Sequence, residues 1–111
     1  MEIGIDIEEV GRFRKLPYKS NQSFYKKIFT FAEINYCLSK VDPYPHFAVR
    51  FAVKEAIIKA VGLRLKDLID IGITSSQDGV PSAKVKGQKG KFLISLSHTK
   101  KHAIAMALWL N

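Results

Sequence analysis

One stretch constrains this chain more than any other. From His46 to Val61 the residues read HFAVRFAVKEAIIKAV, with no glycine or proline and a high share of alanine. Such a run predicts a helix, and Gly62 directly after it is a natural stop. On a wheel of about 100° per residue, Arg50 and Lys54 fall together on one narrow side. Nearly everything else is apolar: Phe47, Ala48, Val49, Phe51, Ala52, Val53, Ala56, Ile57, Ile58, Ala60 and Val61. A helix apolar almost all round must be buried, in the core or at a contact between copies of the chain.

The remaining segments arrange themselves about this helix. Ile3, Ile5 and Ile7 alternate with Gly4 and Asp6, the period of a half-buried strand. Asp6 therefore faces away from the isoleucines, and Gly4 on its own face leaves room for another group to approach. Gln22–Ile28 reads as a short helix. Thr30-Phe31-Ala32-Glu33 matches a capping box and predicts a helix from Phe31 to about Leu38. Asp42-Pro43-Tyr44-Pro45 reads as a breaker. Beyond Gly62 the period changes to two, with strands expected at Ile69–Thr74, Ser82–Val85, Phe92–Ser97 and His102–Trp109. Gln77-Asp78-Gly79 marks a turn, and His98-Thr99-Lys100-Lys101 joins the last two strands as a hairpin. The expected class is α+β: a largely antiparallel sheet packed with one long buried helix and shorter helices.

Composition bounds the partners. A chain of 111 residues without repeats, linkers or low-complexity tracts reads as a single domain, 1–111. There is no membrane-length apolar run and no signal-peptide pattern at Met1-Glu2-Ile3, and Cys37 is the only cysteine. These features predict a cytoplasmic protein with no membrane association. Eighteen Lys and Arg against ten Asp and Glu leave a net charge of +8, which favours a polyanionic partner.

Within the helix, Glu55 and Lys59 lie four residues apart inside the apolar surround. A buried carboxylate needs a partner. Two readings stand side by side: an internal Glu55–Lys59 ion pair, or a cation site in which Glu55 and Asp6 each supply oxygen. Mg²⁺ favours one or two carboxylates together with phosphate oxygens and water. In the second reading Lys59 neutralises phosphate charge. His98, at a strand end beside Thr99, Lys100 and Lys101, suits an anion contact. No zinc spacing, P-loop, Rossmann fingerprint or nucleophile elbow is present.

The same segments resemble the holo-acyl-carrier-protein synthases, the small trimeric branch of the phosphopantetheinyl transferases. The resemblance is carried by Gly4-Ile5-Asp6-Ile7-Glu8-Glu9-Val10 with Arg12, by Ile28-Phe29-Thr30 with Glu33, by the run from Arg50 to Gly62, and by Ile94–Thr99. The four motifs come in family order across nearly the whole chain. Val53 stands where many members have alanine, and the loop from Gly62 to Asp67 matches no family pattern.

The resemblance implies metal ligation by Asp6 and Glu55. It places Lys59 near the phosphates and Arg50, Lys54, His98 and Thr99 around coenzyme A. Gly79 and Pro81 fall on a loop at the nucleotide end. It also implies a homotrimer with sites between subunits, and Arg12 on the surface that meets an acyl carrier protein. Charge and position add Arg14, Lys26 and Lys27 to that surface. The implied reaction moves 4′-phosphopantetheine from coenzyme A to a carrier serine with Mg²⁺ and releases 3′,5′-ADP, in support of fatty acid synthesis. Glu55, Lys59 and His98 are the candidate catalytic residues; Glu55, a metal-bound water or His98 is the general base. Two rivals are a basic nucleic-acid-binding module and a purely structural trimer. No nucleic-acid-binding signature accompanies the charge, so no nucleic-acid partner is expected.

Overall fold

The long helix starts earlier than the sequence suggests. In the computed structural model, which describes residues 2–62 and 67–111, α4 runs Pro43–Val61. The Asp42-Pro43 step opens the helix instead of breaking it. The first turn's N–H groups have no intrahelical partner, so prolines at 43 and 45 cost no hydrogen bond there. At the far end Gly62 adopts φ +88° and donates its N–H to Ile58 O at 2.9 Å. Most of the Gly62–Asp67 loop lies outside the described residues.

Before α4 come β1 (Glu2–Glu9), α1 (Val10–Arg14), a 3₁₀ turn at Tyr18–Ser20, α2 (Gln22–Ile28) and α3 (Phe31–Leu38). The capping box is formed as expected. Thr30 N–H donates to Glu33 Oε1 at 2.8 Å, and Glu33 N–H donates to Thr30 Oγ1 at 3.2 Å. After α4 come a 3₁₀ turn at Leu68–Asp70, β2 (Ile71–Ser75), β3 (Pro81–Val85), β4 (Lys91–His98) and β5 (His102–Leu110). Ile69 thus belongs to the turn before β2 and not to the strand.

All pairings are antiparallel. One sheet has the order β1-β5-β4, and β2-β3 form a separate hairpin. The β4–β5 turn is closed by Thr99, whose N–H donates to His102 O while its Oγ1 accepts from Lys101 N–H and His102 N–H. The structure is the expected α+β arrangement.

The helix lies across the three-stranded sheet. Ala52, Val53, Ala56, Ile57, Ala60 and Val61 pack against Ala105, Ala107 and Trp109 of β5 and Ile71 and Ile73 of β2. The N-terminal half of α4 joins an aromatic cluster of Phe13, Tyr25, Phe29, Phe47 and Phe51. Tyr25 keeps its hydroxyl satisfied by donating to Leu16 O at 2.7 Å. The helix is therefore wrapped by its own chain and needs no second copy to cover it.

The uncovered apolar surface lies on the other side of the sheet. Ile3, Ile5 and Ile7 are 64, 56 and 63 % exposed, and Leu93, Ile104 and Met106 continue that patch across β4 and β5. The face of β1 pressed against α4 is the one bearing Gly4, Asp6 and Glu8. Gly4 shows why: a Cβ there would sit 1.9 Å from Ala56 O, so only glycine lets the strand backbone touch the helix backbone. That contact sets Asp6 against α4 and begins the site.

Candidate functional site

Two charged poles form along α4. At the first, Lys59 donates to Ile5 O at 2.9 Å and to Asp6 Oδ1 at 3.1 Å. Lys59 pairs with the strand carboxylate and not with Glu55, so the internal Glu55–Lys59 pair is not formed. Lys59 is exposed and Glu55 half-buried, an inversion of the wheel, in which Arg50 and Lys54 made the polar side. The other oxygen of Asp6, Oδ2, is buried without a hydrogen-bond donor.

A third carboxylate, unmarked by the sequence reading, stands beside Asp6. Glu8 occupies the same face of β1 two residues on, and its pKa is pushed up from 4.5 to about 7. Burial is the main cause, followed by the contact with Asp6, with Arg12 pulling the other way. Burial, and next the charge of Asp6, also raise Glu55, while Lys59 and Arg12 pull it down. The alternation of β1 itself puts Glu8 with Asp6, and that is the signal that would have found it.

The carboxylates of Glu8 and Glu55 near the orphaned Asp6 oxygen suit a hard dication, which takes oxygen ligands and relieves their repulsion. Among the described residues no group of three or more His, Cys, Asp or Glu side chains is placed to hold a metal ion by itself. Mg²⁺ in general needs only one or two carboxylates, the rest of its shell being phosphate and water.

A stability prediction follows from Glu8. A carboxyl raised in the fold stabilises below its unfolded pKa, and that contribution is lost as pH rises through the folded value. Without divalent ions, Glu8→Gln should therefore gain thermal stability relative to the unsubstituted protein. The gain should open above pH 4.5 and level off above about 7. Added Mg²⁺ should narrow it. Melting curves from pH 4 to 9 check this, and a difference independent of pH would contradict it.

The second pole lies on the opposite side of α4. Arg50 is 5 % exposed. Its guanidinium lies 4.0 Å from the centre of the Tyr36 ring, one amino group donates to Ser75 Oγ at 3.3 Å, and Nε is buried without an acceptor. Among the described residues it has no carboxylate partner. His98, at the end of β4, meets the His46 ring edge-to-face at 5.3 Å. Burial pushes His46 below the ordinary histidine range, and His98, Arg50 and Lys40 push it further. Burial would raise the Tyr36 phenol, but Arg50 and Lys40 outweigh it and hold the group below its usual value. This pole is short of negative charge.

Lys54, expected beside coenzyme A, is placed differently. It is fully buried, and its ammonium donates to Ile28 O at 2.7 Å, Glu33 Oε1 at 2.7 Å and Leu68 O at 3.2 Å. All three donors are taken, which leaves none for a ligand. Glu33 Oε2 in turn accepts from Ile73 N–H at 2.7 Å, so the pair ties α3 and α4 to the β2–β3 hairpin. That hairpin carries Gly79, at φ +81° in its turn, and Pro81, the first residue of β3. Thr99 is spent on the β4–β5 turn.

Arg12 is exposed on α1, held by Glu8 Oε1 at 3.3 Å, and borders a cleft of about 580 Å³ with Ile7, Lys15 and Leu16. Arg14 is turned away into a two-point bond with Asp42. Lys26 and Lys27 are exposed on α2.

The 4′-phosphopantetheinyl transferase superfamily model matches residues 2–107 of this chain. The chain belongs to that family and is a phosphopantetheinyl transferase. Within the family it is similar to the holo-[acyl-carrier-protein] synthase of Thermodesulfovibrio yellowstonii, 43 % identical over 110 residues that cover 96 % of this chain and 95 % of that one. The Chlorobaculum tepidum synthase is 42 % identical over 98 % of this chain and 97 % of its own. The fold superposes on the Helicobacter pylori holo-[acyl-carrier-protein] synthase in complex with coenzyme A, with a TM-score of 0.84 and 28 % identity over 96 % of this chain and 98 % of that one. It superposes equally on the Bacillus anthracis synthase bound to CoA (3′,5′-ADP), with a TM-score of 0.85 and 29 % identity over 99 % and 96 %.

Proposed function

We propose that this chain, as one transferase domain over residues 1–111, moves 4′-phosphopantetheine from coenzyme A to a serine of an apo acyl carrier protein. The products are holo carrier and 3′,5′-ADP, and the reaction is Mg²⁺-dependent, cytoplasmic and supports fatty acid synthesis. The observation that carries this reading is the orphaned, buried Asp6 Oδ2 with Glu55 and Glu8 beside it and Lys59 alongside. Among the described residues no helix is long and apolar enough to cross a membrane.

Asp6 and Glu55 would hold the metal, with Glu8 next to them. Bound there, Mg²⁺ supplies Lewis-acid stabilisation of the pyrophosphate oxygens. Lys59, which needs only to swing from Asp6, neutralises charge developing on the departing 3′,5′-ADP. The serine proton leaves at this acidic pole, where Glu55 lies near Asp6. His98, the other side-chain option, sits at the opposite pole of the same chain.

Arg50 and His98 take the remaining phosphate of coenzyme A, and Gly79 and Pro81 border its nucleotide. Lys54 and Thr99 support these groups from behind. Nine residues separate Arg50 from Lys59, about half a turn around the helix and about 14 Å along it. One coenzyme A touching both poles is best served by two copies, one giving each pole. The uncovered isoleucine face of β1 offers the surface for that association, since monomers rarely leave such a patch open. A closed homotrimer satisfies both demands, and its mass in solution at assay concentrations tests it.

The cleft beside Glu8 and Arg12 leads to the acidic pole and suits an acidic carrier. Arg14 is committed to Asp42, so Arg12 carries most of the docking, with Lys26 and Lys27 contributing at longer range. Arg12→Glu should raise the KM for the carrier by about tenfold and leave that for coenzyme A within about twofold. Turnover at low carrier concentration should fall with salt, because exposed charges are screened over about 10 Å at 0.1 M. Equal changes in both KM values would place docking elsewhere.

A further inference from the structure

Two residues at the basic pole, Tyr36 and His46, touch Arg50 and His98. Tyr36, near the end of α3, lies under the Arg50 guanidinium at 4.0 Å and has the Lys40 ammonium 4.5 Å from its ring centre. His46, in the first turns of α4, meets Tyr36 edge-on at 6.3 Å and His98 at 5.3 Å. Tyr36, His46 and His98 thus stand in contact as three consecutive rings, with Arg50 resting on the first.

The physical need for such a support is specific. Arg50 is buried, has no carboxylate partner among the described residues, and leaves Nε without an acceptor. A guanidinium in that condition either swings out to water or is held by something that tolerates a cation without consuming its donors. An aromatic face does this: it attracts the charge and leaves the N–H edge free. A carboxylate in the same place would take the donors that a phosphate needs. His46 serves His98 similarly. Its edge fixes the second ring without an acid, and among the described residues Asp42 opposes the cations that act on it.

We propose that Tyr36 and His46 are positioning residues of the coenzyme A site, holding Arg50 and His98 for the phosphate of coenzyme A that does not react. This rests on the coenzyme A reading. The reacting pyrophosphate belongs with Asp6, Glu55 and Lys59, and the one other phosphate of coenzyme A is the 3′-phosphate on its ribose. Tyr36 and His46 act through their neighbours and only on a ligand that carries that group.

The test compares coenzyme A with 3′-dephospho-coenzyme A as donors for the unsubstituted protein, Tyr36→Leu, Tyr36→Phe, His46→Ala and His46→Phe. Tyr36→Leu and His46→Ala should raise the KM for coenzyme A by about tenfold, with kcat within about twofold. Their KM for 3′-dephospho-coenzyme A should stay near that of the unsubstituted protein. Tyr36→Phe and His46→Phe keep a ring in place and should keep the lower KM for coenzyme A. Equal losses on both donors, losses in kcat alone, or no loss at all would overturn the assignment. Should Tyr36→Leu fail to fold, the His46 pair gives the same decision. Failure of the unsubstituted protein to use either donor would instead remove the coenzyme A reading itself.

Discussion

Asp6→Ala and Glu55→Gln should each lower turnover on the order of a thousandfold, while the protein stays folded. The fold should survive because both changes relieve repulsion. Burial raises Glu8 and Glu55 most, and the charge of Asp6 raises both further. Asp6→Ala strands only Lys59, whose side chain is 55 % exposed and readily hydrated, and Glu55→Gln leaves the Lys59–Asp6 pair in place. Activity should not survive, because neither remaining pair reproduces the orphaned Asp6 oxygen beside a helix carboxylate. Initial rates over a Mg²⁺ titration, with melting temperatures of the same samples, make the comparison. Normal rates at limiting Mg²⁺ would remove these residues from the metal site. A collapsed fold in Glu55→Gln would mean that this carboxylate is structural.

Lys54→Met should have the largest effect on stability. Removing the ammonium leaves Glu33 buried and charged with two backbone donors but no cation, and leaves Ile28 O and Leu68 O without their acceptor role filled. Breaking a buried pair from one side costs about 3–5 kcal/mol, a loss on the order of 15 °C in melting temperature for a domain of this size. The double variant Glu33→Gln with Lys54→Met should recover part of that loss, because the charge is gone while one carbonyl oxygen still accepts. Additive losses in the double variant would show that the two residues do not act as a pair. At temperatures where Lys54→Met is folded, its KM for coenzyme A should be nearly unchanged, since no donor of Lys54 faces a ligand.

Lys54 also shows where the sequence was readable and where it was not. A wheel reports which residues share a side, not which side meets solvent. Arg50 and Lys54 look like the wet edge of an apolar helix, yet both are buried, because Glu33 and the Ile28 and Leu68 carbonyls for Lys54, and Ser75 and the Tyr36 ring for Arg50, supply what water would. Partners that sit 21 residues away, as Glu33 does from Lys54, leave no periodic trace. The same ambiguity affects β1. Alternation separates the isoleucines from Asp6, but the isoleucine face proves to be the open one. Gly4 carried the better clue, since a strand glycine marks a close backbone approach, and the approaching group is α4.

Local chemistry was the most legible. The Thr30–Glu33 box, the Gly62 stop and the Thr99 turn each depend on residues within a few positions, and each is formed. Asp42-Pro43 misled because proline punctuates in two ways, ending a helix when internal and opening one at its first turn. The five-residue α1 is too short to show a period, though it positions Arg12. Asp6, Glu55 and Lys59, drawn from two distant segments, do come together, and Glu8 joins them by the simple rule that alternate residues of a strand share a face.

The most direct measurement is the mass of the carrier. Apo acyl carrier protein incubated with this protein, Mg²⁺ and coenzyme A should gain one phosphopantetheine on its serine, with 3′,5′-ADP appearing in equal amount. The gain should vanish on chelation of Mg²⁺ and in Asp6→Ala. A carrier whose mass stays unchanged with the folded, unsubstituted protein, or one modified equally well by Asp6→Ala, would contradict the account.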